Sequence, residues 1–195
     1  MYEKVNITET HLGVLTLFTK GYNKEYYIRE VHKLLKISPR TAQLILDNLE
    51  KKTVLESRTR GKIRLYKLKN TMIAKEYISL TEQYKKISFL KKNHLTREII
   101  EKTTPCIKGI GIIFGSYAKG IQKKDSDLDI FIAGHYDKDK IAHISKLYGT
   151  DISIKNYPDN LFRKNIKKDV LLKEVLENHI IICGCEKFID AVCPW

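Results

Sequence analysis

The chain has 195 residues, 43% hydrophobic and 30% charged, the balance of a globular protein with one large or two small cores rather than a disordered or fibrous one. Lys and Arg number 36 against 23 Asp and Glu, a net charge of +13 that favours polyanionic partners: nucleic acid, nucleotides or an anionic membrane surface. No apolar run approaches the roughly 18–20 residues that span a bilayer, and the opening MYEKVNITETHLG lacks the charged-then-apolar order of a secretion signal, so a cytoplasmic protein is expected.

The pattern changes near residue 70. Residues 1–70 hold 15 basic and 7 acidic side chains, residues 71–195 hold 21 and 16, so the first segment is the more basic per residue. Leu12, Leu15, Leu17 and Phe18 form an apolar stripe after Thr8 and Thr10, either of which can cap a first helix. Ile28, Val31, Leu34 and Leu35 mark a second. Ser38 then suits an N-cap and Pro39 the first helical position, and Ala42, Ile45, Leu46 and Leu49 follow the helical spacing of a third, with Arg40, Thr41, Gln43, Asn48 and Lys51 on its wet side. Val54–Arg58 and Ile63–Leu68 alternate like strands around Thr59-Arg60-Gly61-Lys62.

Three helices and a basic hairpin over residues 5–70 resemble a winged helix-turn-helix domain. The resemblance implies a DNA-binding module with Arg40, Thr41 and Gln43 of the third helix in the major groove and Arg58, Arg60, Lys62 and Arg64 of the wing on phosphates or in the minor groove. A solvated face used for dimerisation or protein contact is the alternative. Asp47 and Glu50 on the same helix would repel phosphates if they faced the groove. Residues 71–93 lack Gly and Pro and carry Ile73, Tyr77, Leu80, Tyr84, Ile87 and Phe89 at near-helical spacing, which predicts a connecting helix; a further helix from His94 ends before Pro105. The expected division is 1–70, 71–94 and 95–195.

Chemistry concentrates in residues 110–132. Ile110–Phe114 reads as a buried strand and runs into Gly115-Ser116, where a glycine lets backbone N–H groups approach an anion and a following helix adds positive potential. After a basic loop, Ser126-Asp127-Leu128-Asp129-Ile130-Phe131-Ile132 reads as a second strand. Asp127 and Asp129 share one face about 6–7 Å apart, with Leu128, Ile130 and Ile132 facing the core. Two neighbouring carboxylates repel each other and call for a cation; Mg²⁺, with Mn²⁺ as the alternative, takes oxygen ligands and keeps positions open for phosphates.

GSYAKG followed by SDLD resembles the Gly-Ser-x-x-x-Gly…Asp-x-Asp signature of the polymerase-β-like nucleotidyltransferases, nearest to the minimal members that include antitoxin partners of helical HEPN proteins. The resemblance spans about residues 95–190. It implies an α+β protein whose C-terminal mixed sheet with flanking helices binds a nucleoside triphosphate with Mg²⁺ and transfers a nucleoside monophosphate, adenylyl first among the candidates, to a hydroxyl. Gly115 and Ser116 match the triphosphate-binding pair, Lys119 stands where many members carry arginine, and Asp127 and Asp129 match the metal ligands. Asp151, in Thr150-Asp151-Ile152-Ser153-Ile154 and following a helix from about Asp139 to Leu147, is the candidate for the third carboxylate that the resemblance implies, sharing a metal with Asp127 and Asp129 and helping to deprotonate the attacking hydroxyl. A DNA-binding regulator or antitoxin-type protein whose nucleotidyltransferase unit senses nucleotide or binds a partner, as a homodimer or with a second protein, is the other expectation.

Val170–Leu176 predicts a helix and His179–Cys183 a strand within the final stretch to Trp195. Cys106, Cys183, Cys185 and Cys193 show no disulfide or zinc spacing, and the Cys183-Gly184-Cys185 pair is expected to be reduced and buried in a strand. The histidines show no ligand spacing.

Overall fold

The computed structural model describes residues 5–193; residues 1–4, Pro194 and Trp195 lie outside the described residues. Two compact units divide the chain between Thr81 and Glu82.

The N-terminal unit begins with α1 (Glu9–Phe18), α2 (Ile28–Leu35) and α3 (Pro39–Lys51). Thr8, not Thr10, caps α1, through a reciprocal exchange with His11. Ser38 caps α3 by accepting from the Thr41 amide at 2.9 Å, with Pro39 in the first turn. Leu15, Phe18, Val31, Leu46 and Leu49 are fully buried, each worth about 1.5–3 kcal/mol over its exposed state. Leu34 breaks the predicted stripe and is exposed. Asn48 turns partly inward, its Oδ1 buried.

The hairpin follows as β1 (Leu55–Arg60) and β2 (Ile63–Leu68), antiparallel with Arg60 opposite Ile63. Its turn is therefore Gly61-Lys62 alone, two residues shorter than the sequence suggests. Gly61 at φ +62° supplies the positive φ that a two-residue hairpin turn requires, so pairing continues through Thr59 and Arg60. Tyr26 adds a bridge to Tyr66, with amide–carbonyl bonds of 2.9 and 2.8 Å.

Helix α4 (Met72–Lys92) carries the boundary between the units. The C-terminal unit then holds α5 (His94–Thr103), a 3-10 turn at Thr104–Cys106, β3 (Ile107–Ile113), α6 (Gly115–Lys119), β4 (Leu128–Tyr136), α7 (Lys138–Tyr148), β5 (Ile152–Tyr157), α8 (Asp159–Asn165), α9 (Val170–Glu177), β6 (Ile180–Cys183) and α10 (Cys185–Val192). The sheet order is β5-β4-β3-β6, with β4 and β5 parallel and the other pairs antiparallel: a mixed sheet with flanking helices in an α+β chain.

Ile113, Leu128, Ile130 and Ile132 on one face of this sheet pack with Phe89, Ile99, Ile141 and Ile144. The other face is also covered: Phe131 meets Tyr157 and Phe162, and Phe162 stacks near Phe188. The side of β4 that begins with Asp129 is thus apolar and buried at Phe131 and Ala133, and the acidic pair sits where that second layer ends. Of the cysteines, Cys183 closes β6, Cys185 opens α10 and Cys193 is the buried one, with no disulfide among the described residues, so the expectation of buried strand cysteines at 183 and 185 fits Cys183 only in part. Burial raises the Cys183 thiol and pushes Cys185 to about 11, so neither is a ready thiolate.

Candidate functional site

Strand β3 delivers the chain into Gly115 at φ +66°. Only glycine suits this point. A Cβ here would stand 2.3 Å from Asp129 Oδ2, so the backbone of the turn is packed directly on that carboxylate. The Phe114 amide donates to the Asp129 carbonyl at 3.1 Å, locking the end of β3 to the start of β4. Ser116 and Gly115 are half-buried. Helix α6 is only five residues long, so the helix-end potential anticipated from the sequence is slight, and the close approach of backbone is what the turn offers.

The loop from Gly120 to Ser126 is tied down from within. Ser126 Oγ accepts from the Lys123 amide at 2.8 Å, and the Ile121 amide donates to the Ser116 carbonyl. Asp127 precedes β4 and is exposed; Asp129, its second residue, is half-buried. Burial raises the Asp129 pKa above its usual value and the Asp127 charge adds to this, against a hydrogen bond from Ser153 and the positive charge of Lys155. Across the loop, burial and the same Asp127 charge raise the Tyr117 phenol.

Asp151 lies just ahead of β5, exposed, its carbonyl accepting from the Leu128 amide at 2.8 Å. That places it beside Asp127 in the ladder. The residue directly opposite Asp129 is Ser153. Among the described residues no three His, Cys, Asp or Glu side chains are gathered closely enough to hold a metal, so the three aspartates do not converge into the closed cage that a strict three-carboxylate centre would form. Two carboxylates under mutual repulsion beside a glycine turn nevertheless suit Mg²⁺, which completes its shell with water and substrate oxygens rather than an all-protein set.

Lys119 is not directed to an open phosphate position. Its Nζ is 3.0 Å from Glu174 Oε1 on α9. Ser153, Lys155 and Glu174 were missed by sequence reasoning. The period-2 alternation of β5 from Asp151 could have put Ser153 and Lys155 on the acidic face; nothing in the sequence joins Glu174 to residue 119.

The basic face of the N-terminal unit is also partly committed. Arg58 Nη2 is 2.7 Å from Glu25, and Arg64 is bound by Glu50 and by Asp47, the latter at 3.4 Å. Tyr66 donates to Asp47 at 2.8 Å, and Arg64 lies over the Tyr66 ring. Asp47 and Glu50 thus clamp the hairpin to α3. Arg40, Arg60 and Lys62 are exposed, Thr41 and Gln43 half-buried, with the Thr41 hydroxyl 2.8 Å from Ser38 Oγ.

Residues 97–187 match the family model described as Polymerase beta, Nucleotidyltransferase. The C-terminal half is a polymerase-β-like fold. No curated protein matches the sequence. Among solved structures, the archaeal chromatin protein TrmBL2, described as showing a novel mode of DNA binding, aligns over 89% of this chain and 71% of its own at 14% identity, with a TM-score of 0.29; at that score the likeness bears on neither fold nor function. No described helix is long and apolar enough to cross a membrane.

Proposed function

We propose that the nucleotidyltransferase-like unit binds a nucleoside triphosphate with Mg²⁺ and transfers its monophosphate, adenylyl foremost, to a hydroxyl acceptor, while the N-terminal unit binds DNA in winged-helix fashion. The observation that carries this reading is the contact of the Gly115 turn with the Asp129 carboxylate, because it brings an anion-accepting backbone and a cation-demanding acid to one point. Gly115 and Ser116 receive the phosphates, Asp127 and Asp129 hold the ion, and Lys119 adds positive charge. When bound, the ion supplies charge neutralisation at the transferring phosphate. Asp151, at the start of the neighbouring strand, takes the proton of the attacking hydroxyl.

Incubation of the full chain with α-labelled triphosphates and Mg²⁺ tests this: labelled product and released pyrophosphate are expected, and both disappear in the Asp127→Asn/Asp129→Asn variant. Label that persists in that variant removes the assignment.

A second reading is favoured by Ser153 standing opposite Asp129 and by the exposed position of Asp151: a DNA-binding regulator or antitoxin-type protein whose site senses nucleotide without turnover, alone, as a homodimer or with a protein partner. Nucleotide-dependent DNA affinity with no pyrophosphate release would select it.

A further inference from the structure

Lys119, the one lysine in the Gly115–Gly120 turn, has a partner before any ligand arrives. Glu174 reaches it from a point 55 residues further along the chain, and the two side chains are 38% and 49% exposed. An exposed pair of this kind adds little to the stability of a fold. Its effect on an incoming anion is more direct, since the phosphates must compete with a carboxylate for the same ammonium. Glu174 also adds its negative charge to that of Asp127 at Asp129, so it belongs to the electrostatics of the site and not merely to the helix surface. None of the roles assigned above uses it.

From this geometry we infer that Glu174 is a positioning residue that holds Lys119 in reserve: it keeps the ammonium from weakly charged anions and yields it to a polyphosphate. The inference rests on the nucleotide-binding reading of the site. A ligand with one phosphate meets Lys119 neutralised and the acids Asp127, Asp129 and Glu174 repelling it. A metal-bound triphosphate offers the carboxylates a cation and Lys119 a more concentrated anion. The ligand class selected is therefore a polyphosphate carried with a divalent ion.

The test is calorimetric, on the full chain, with Mg²⁺-tripolyphosphate as the probe because it carries no base. Glu174→Gln is expected to tighten binding about two- to five-fold, the scale of one exposed ion pair. In a Lys119→Met background the same change is expected to yield less than half of that gain, since there is no ammonium left to release. Equal gains in both backgrounds would mean a general relief of negative charge and would overturn the role. So would an unchanged or weakened affinity in Glu174→Gln with matched thermal midpoints. Failure of the wild-type chain to bind either the probe or Mg²⁺-ATP is a different result: it removes the nucleotide site itself, and the role of Glu174 with it.

Discussion

Two carboxyl groups of the C-terminal unit have opposite fates. Glu82 on α4 is 1% exposed, and burial alone would push its pKa up. Lys85 at 2.9 Å and His179 at 3.2 Å instead hold it down to about 2. Asp129 is less buried yet raised: burial pushes it up first, and the charges of Asp127 and Glu174 add to this against only a hydrogen bond from Ser153 and the charge of Lys155. The buried acid is over-compensated and belongs to the architecture; the half-buried one is under-compensated and awaits a cation from outside. His179 fits the first pattern. Its Nδ1 faces the Leu176 carbonyl at 3.1 Å, and burial followed by the Lys85 charge lowers its pKa despite Glu82.

The largest effect that could break this contrast is at Glu82. Glu82→Ala leaves Lys85 and His179 in place without their carboxylate and is expected to cost about 3–5 kcal/mol in urea unfolding; a loss below 1 kcal/mol would make the cluster incidental. At Gly115, alanine meets both the positive φ and Asp129 Oδ2. Gly115→Ala is expected to weaken Mg²⁺-triphosphate binding by about tenfold or more, equivalent to about 1.4 kcal/mol, with circular dichroism unchanged.

Acid titration separates the two acids by sign. The Glu82 pKa is depressed from 4.5, so its stabilisation is full above pH 4.5 and declines as pH falls toward 2. His179 is depressed from 6.5, so stability also declines once pH drops below that value. Asp129 is raised from 3.8, so its ionisation opposes folding as pH rises through its folded value. Asp129→Asn is therefore expected to raise thermal stability at pH 7, by about 1 kcal/mol or less, while abolishing Mg²⁺-triphosphate binding. Lower stability in that variant would place Asp129 with Glu82.

The same contrast extends to the arginines of the hairpin. Arg60→Ala and Lys62→Ala should each lower the salt slope of DNA binding by about one ion. Arg58→Ala, whose guanidinium is held by Glu25, should change it least. A drop at Arg58 equal to that at Arg60 would show that its ion pair opens on DNA.

Most helices were legible in the sequence because their signals are local: Ser38-Pro39 fixed the start of α3, and apolar spacing found its buried side. The Gly-Ser turn and Asp-x-Asp strand were legible for the same reason, since adjacent residues carry both. Strand limits were less so. β3 begins at Ile107 and β4 runs on to Tyr136, because pairing across the sheet extends segments whose own composition is indifferent. α8 and α10 are short, and their burial depends on Phe162 and Phe188 meeting across the sheet face. The partners of Arg58, Arg64 and Lys119 lie 33, 14 and 55 residues away, separations at which sequence spacing says nothing about who meets whom.

The unit boundary inside α4 has a practical corollary. A fragment excised from residue 95, or trimmed to the 97–187 match, discards Glu82 and Lys85, the two charged partners of His179, and Phe89 from the sheet's isoleucine layer. Cloning from within α4 at or before residue 82 keeps that ionic plug with the sheet it seals.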